Sequence, residues 1–145
     1  MKKVIFITLL SFMFLFASAA DSFACSCRYS PEPVKKQVKD AYTDSSAVFS
    51  GEVLEITSKD EWNVTVRIKV GKFWKGEFSQ EIIINTNKES SMCGYAFEVG
   101  KKYLVYAYGA KDDLSTTNCS RTTGLSDTKD IKFLGRLKKT KGRSA

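Results

Sequence analysis

The chain has 145 residues and a formal net charge of +7, with four cysteines and no histidine. That length allows one compact core rather than two domains. The missing imidazole removes the commonest general base and the usual zinc ligand together, so an enzyme is not the expected class.

Lys2 and Lys3 open a charged segment, 4–16 is almost unbroken apolar sequence, and small residues follow from Ala17. This is the pattern of a secretory leader, and the run is short for a membrane span, which needs about 20 apolar residues. Cleavage sites after Ala19 and after Ala24 compete, and lipidation of Cys25 is a third reading. We take 1–24 as the signal peptide. The mature chain is then expected outside the cytoplasm, secreted or periplasmic, with no transmembrane span. In that compartment cysteines form disulfides.

Cleavage after Ala24 makes Cys25 the first residue of the mature protein. Its free amine then lies beside its own carbonyl oxygen, and the two can grip a metal ion in a five-membered chelate. Cys25 and Cys27 rarely bridge each other at this spacing because the ring is strained, so each is expected to reach across the chain to Cys93 or Cys119. Thiol exchange by the Cys-x-Cys element is disfavoured, since no thioredoxin-like βαβ pattern accompanies it.

Beyond Pro33, the positions Val34, Val38, Ala41 and Tyr42 share one helical face. A β-rich stretch follows over 47–56, with Gly51 marking a bulge or bend. The strongest period-two signal is 62–70, where Trp62, Val64, Val66, Ile68 and Val70 alternate with polar residues. Strands are also expected over 82–85, 102–108 and 116–123. Ile131, Leu134 and Leu137 then form a second helical stripe, with Ser126 or Asp127 as its cap. Five bent strands with a helix at each end close most economically as a mainly β, five-stranded Greek-key barrel of the OB type.

Lys2 and Lys3 leave with the leader, while Arg136, Lys138, Lys139, Lys141 and Arg143 crowd the last ten residues. We read 25–137 as the domain and 138–145 as a basic, solvated tail. Tyr103, Tyr106 and Tyr108 mimic the stacking strand of a nucleic-acid-binding barrel, but export and disulfides argue against such a partner. Phe73 and Trp74 read as core or turn residues.

Cys25-Ser26-Cys27, Phe73-Trp74-Lys75-Gly76, Met92-Cys93-Gly94-Tyr95, the run 99–105 and Thr116-Thr117-Asn118-Cys119 stand in a familiar order. In order and near-matching spacing the chain resembles, from Cys25 to about Leu137, the inhibitory N-terminal domain of the tissue inhibitors of metalloproteinases. The resemblance implies the netrin-like variant of the OB barrel, with disulfides Cys25–Cys93 and Cys27–Cys119. It also implies inhibition of a zinc metalloprotease: the amine and carbonyl of Cys25 take the target's catalytic zinc, and Ser26 faces the specificity pocket. Cys27, Arg28, Ser91 and Met92 then make protease contacts. No cofactor of the protein's own is implied, because the zinc belongs to the target. The family's third disulfide has no counterpart here. The alternative is a non-inhibitory netrin-like module that binds another exported protein or surface component. Oligomeric state is left open.

Overall fold

The computed structural model describes residues 25–28, 30–126 and 128–141. The leader expected over 1–24, Tyr29, the candidate cap Asp127 and the last four residues of the expected tail lie outside them.

Helix α1 spans Val34–Asp44 and is followed by strands β1 (Ala47–Ser58), β2 (Asn63–Lys75) and β3 (Glu81–Asn87). A single 3₁₀ turn, Ser90–Met92, precedes β4 (Lys102–Ala110), β5 (Asp113–Ser115) and β6 (Thr123–Gly124), and helix α2 covers Asp130–Lys141. β1 pairs antiparallel with both β2 and β4, β2 with β3, and β4 with β5, while β3 and β5 run parallel at Asn85 and Ser115. The ring β1-β2-β3-β5-β4-β1 is a closed, mixed five-stranded barrel of the OB type flanked by two helices, as the strand and helix patterning predicts. β6 extends the sheet beside β4. Among the described residues no helix is long and apolar enough to cross a membrane.

Two apolar clusters result from the period-two geometry of β1 and β4. Phe49, Val53, Val66, Ile68, Ile84 and Val105 point into the barrel. Val48, Leu104 and Tyr106 point outward and meet Val38 of α1, Leu134 of α2 and Trp74. Both faces of β1 and β4 are therefore covered, which accounts for their nearly continuous apolar stretches. Helices of 11 and 12 residues are marginal in isolation, so the contacts of Val38 and Leu134, both 0% exposed, hold them in place. Each such fully buried side chain contributes about 1.5–3 kcal/mol.

Gly51 sits at a register shift in the β1–β2 pairing, as its place in the β-rich stretch predicts. A Cβ there would collide with the Lys69 carbonyl oxygen and lie 2.6 Å from Ile68 Cγ2, so the sharp bend requires glycine. Lys75 donates from Nζ to the Tyr42 and Thr43 carbonyls, both at 2.7 Å, and satisfies the C-terminal end of α1. Trp74 is 4% exposed. The Phe73-Trp74-Lys75 stretch thus works as core and helix cap.

Three expectations need correction. Trp62 does not begin the half-buried strand but lies at the β1–β2 turn, 54% exposed. There the Asp60 carboxylate accepts hydrogen bonds from the Trp62 and Asn63 backbone N–H groups, both at 2.8 Å, and turns the chain one residue before the ladder starts. Of the strand expected over 116–123, only Thr123 lies in a strand, at the start of β6. The fifth barrel strand is Asp113–Ser115, because side chains of the following segment take the ladder's place. Thr116 Oγ1 donates to the Tyr106 carbonyl at 2.9 Å and Thr122 Oγ1 accepts the Tyr106 N–H at 3.0 Å. Finally, helix α2 starts at Asp130, beyond the region capped by Ser126, and Thr128 Oγ1 accepts the Asp130 N–H at 3.1 Å.

Candidate functional site

Two disulfides gather the N-terminal segment 25–28 onto one edge of the barrel. Cys25 is bonded to Cys93 and Cys27 to Cys119, with Cα atoms 5.1 and 5.0 Å apart. These are the two pairs the resemblance implies. Cys25 Sγ and Cys119 Sγ are 3.5 Å apart, so the bridges lie against each other.

The Cys25 backbone N–H donates to the Ser91 carbonyl at 2.8 Å, which sets Cys25 beside the 3₁₀ turn. That turn is built by Met92 N–H and Gly94 N–H donating to the Glu89 carbonyl, each at 3.0 Å, and by Cys93 N–H donating to Ser90 at 3.1 Å. Cys93 closes it with φ 64, a left-handed conformation that costs a non-glycine residue about 1–2 kcal/mol. Gly94 follows for a steric reason. A Cβ at Gly94 would overlap the Asn87 carbonyl oxygen and lie 2.8 Å from that of Glu89. The Cys93-Gly94 step is therefore what lets the turn fold back on the end of β3. Asn87 Nδ2 completes it by donating to the Met92 carbonyl at 2.8 Å.

In the sequence Asn118 stands out only within the motif around Cys119, yet it ties the site together. Its Nδ2 donates to the Ser90 carbonyl at 3.0 Å and its backbone N–H to the Cys93 carbonyl at 3.0 Å. Its Oδ1 lies 3.3 Å from Cys25 Sγ and 3.7 Å from Cys27 Sγ. Disulfide sulfurs carry no proton, so these are packing contacts and not hydrogen bonds. Ser26, Cys27, Arg28, Ser91 and Met92 are all exposed along the same ridge.

A second brace fixes the chain just beyond the ridge. Gln37 Nε2 donates to the Ser30 and Glu32 carbonyls at 3.2 and 2.6 Å, and its Oε1 accepts from Arg121 Nη1 at 2.8 Å. Arg121 also donates through Nε and Nη2 to both oxygens of Asp130 at 2.9 Å, and Tyr106 Oη donates to Asp130 Oδ2 at 3.1 Å. The Asp130 carboxylate holds the guanidinium above its usual range, mainly through these hydrogen bonds. Neither Gln37 nor Arg121 carries a recognisable pattern, since their pairing spans α1, the segment after Cys119 and α2. Between ridge and brace lies a cleft of ≈ 830 Å³ lined in part by Cys27, Arg28, Asp44, Tyr108 and Asn118.

The sulfurs of Cys25, Cys27 and Cys119 lie within 4.8 Å of one another. All are consumed in disulfides, and a metal needs thiolates, so this cluster is a covalent staple and not a metal centre. What the ridge offers chemically is an exposed segment, 26–28, pinned by the two disulfides. The chain matches no protein-family model and no curated protein.

Proposed function

We propose that this is an exported, netrin-like inhibitor of zinc metalloproteases, similar to the N-terminal domain of the tissue inhibitors of metalloproteinases. One observation carries the reading: Cys25 is bridged to Cys93 while its backbone nitrogen is held 2.8 Å from the Ser91 carbonyl. Once residues 1–24 are removed, that nitrogen is a primary amine on a braced ridge.

A catalytic zinc keeps one position for water beside three protein ligands. The Cys25 amine and carbonyl oxygen displace that water and chelate the target's metal. An ordinary α-amine titrates at about 7.7–8.0, so a useful fraction of such amines is neutral at physiological pH, and metal binding releases the remaining proton to solvent. Ser26 then enters the specificity pocket, flanked by Cys27, Arg28, Ser91 and Met92. Two disulfides and the Asn118 tie order these segments in advance, which reduces the ordering cost of binding.

The test begins with the intact mass and N-terminal residue of the exported protein, followed by assay against a panel of zinc proteases. A free Cys25 with inhibition that carbamylation abolishes is the expected result. A mature chain starting at Ala20, a lipidated Cys25, or inhibition indifferent to carbamylation overturns the chelation reading, and absence of inhibition across the panel leaves a non-inhibitory interaction module. Ser26→Gly is expected to weaken inhibition without changing the melting temperature.

A further inference from the structure

The two bridges that pin the ridge differ in exposure. Cys27 and Cys119 are exposed, whereas Cys25 and Cys93 are half-buried. A thiol arriving from solvent therefore meets Cys27–Cys119 first. Next to that bridge, Cys25 Sγ lies 3.5 Å from Cys119 Sγ although the two are not bonded, and the sulfurs of Cys25, Cys27 and Cys119 all fall within 4.8 Å of one another. One sulfur of each bridge thus touches the other bridge.

Disulfides exchange by attack of a thiolate on a disulfide sulfur, whose former partner leaves as a thiolate. Reacting atoms held about 3–3.5 Å apart are already placed for attack, and holding them there replaces a collision in solution. Cys119 and Cys25 meet that condition in the folded chain. The contact does not depend on the Cys27–Cys119 bond alone. Asn118, next to Cys119, donates to the carbonyls of Ser90 and Cys93 at 3.0 Å each, and Cys25 N–H donates to that of Ser91. These bonds keep both cysteines at the 3₁₀ turn once the outer bridge opens.

We propose that the two bridges form a thiol-responsive latch, in which a low-molecular-weight monothiol that opens Cys27–Cys119 moves the bridge at Cys25 from Cys93 to Cys119. The thiolate of the monothiol bonds to Cys27 Sγ, and Cys119 Sγ leaves with the electron pair. The Cys119 thiolate then bonds to Cys25 Sγ, the Cys25–Cys93 bond breaks, and Cys93 leaves as a thiolate that takes up the proton the monothiol gave to solvent. One thiol is consumed and one is formed, so no oxidant or further reductant is required. The exchange stays within the chain, and running its two steps backward restores both bridges. Cys25 is meanwhile no longer bonded to the 3₁₀ turn. The consequence for inhibition rests on the function proposed above, while the exchange itself does not.

Glutathione is the probe. The exported protein is incubated with it without oxygen and below the melting transition, free thiols are trapped with N-ethylmaleimide, and the linkages are mapped by mass spectrometry. Loss of Cys25–Cys93 is expected, with a new Cys25–Cys119 bridge, glutathione on Cys27 and maleimide on Cys93. In Cys25→Ser/Cys93→Ser the Cys119 thiolate has no bridge to attack, so maleimide should shift to Cys119. Maleimide on Cys119 of the unaltered protein with Cys25–Cys93 intact, opening of Cys25–Cys93 while Cys27–Cys119 stays closed, or no reaction with glutathione would each overturn the proposal. The unaltered protein decides the matter even if the double variant fails to fold. Inhibition of a susceptible zinc protease should fall as the Cys25–Cys119 fraction rises. The mapping needs no protease, so a Cys25–Cys119 bridge in a protein that inhibits none supports the exchange and removes the inhibitory reading.

Discussion

Asn118 donates from its side-chain amide to the carbonyl oxygen of Ser90, 3.0 Å away, and so fastens the 3₁₀ turn to the segment that carries Cys119. The same turn receives the Cys25 N–H through Ser91. Replacing Asn118 by Ala removes this bond and should cost about 1 kcal/mol, seen as a lower melting temperature. The secondary structure should persist, and inhibition of a susceptible zinc protease should weaken severalfold. Unchanged inhibition by a destabilised Asn118→Ala protein would show that the turn needs no such fastening.

The two disulfides are expected to separate in function although not in stability. Each closes a long loop, with sequence separations of 68 and 92, and removal of either should cost about 2–5 kcal/mol. Cys25→Ser/Cys93→Ser releases position 25 from the 3₁₀ turn and, on the proposed function, should abolish inhibition. Cys27→Ser/Cys119→Ser leaves Cys25 anchored and should retain part of it. Denaturant unfolding alongside inhibition assays, both below the melting transition, distinguishes the two effects.

Asp130 is 3% exposed and receives both arms of Arg121 and the Tyr106 hydroxyl. Asp130→Asn keeps the shape but leaves the half-buried guanidinium without its counter-charge, at a cost of about 3 kcal/mol. The double change Arg121→Met/Asp130→Leu should be less damaging than Asp130→Asn, because no charge is stranded. Urea unfolding of the variants, analysed as a mutant cycle, checks the order.

Burial pushes the Tyr106 phenol well above its ordinary value, and the Asp130 charge adds to the shift. The sign follows from linkage: the folded state keeps a proton that the unfolded chain releases at about pH 10. The stabilisation linked to this group is therefore complete below that pH and is lost as the pH rises above it. Tyr106→Phe should flatten the decline of stability in alkaline solution. In the unaltered protein, phenolate absorbance should develop with one tyrosine withheld until unfolding.

Much of the barrel can be read along the chain. The alternation over 62–70 becomes the buried positions Val66 and Ile68 of β2, and the helical spacing of Val38 and Leu134 becomes the outer cluster. Gly51 announces a real register shift. These signals are local, since a two-residue or 3.6-residue repeat expresses itself in neighbouring side chains. Asn118, Gln37 and Arg121 are different. Their roles depend on partners brought near only by barrel closure, and a single polar residue leaves no periodic trace.

Strand and helix periods are written residue by residue, and so the class of structure, a small β barrel with a helix before and after it, is legible along the chain. The tertiary structure decided where the fifth strand lies, that Trp62 faces solvent, and how the turn at Ser91 meets Cys25. Polar satisfaction is the physical reason. Thr116 and Thr122 serve Tyr106 through their side chains, and Asp60 takes the N–H groups at Trp62 and Asn63, so each backbone segment settles where its hydrogen-bonding groups find partners.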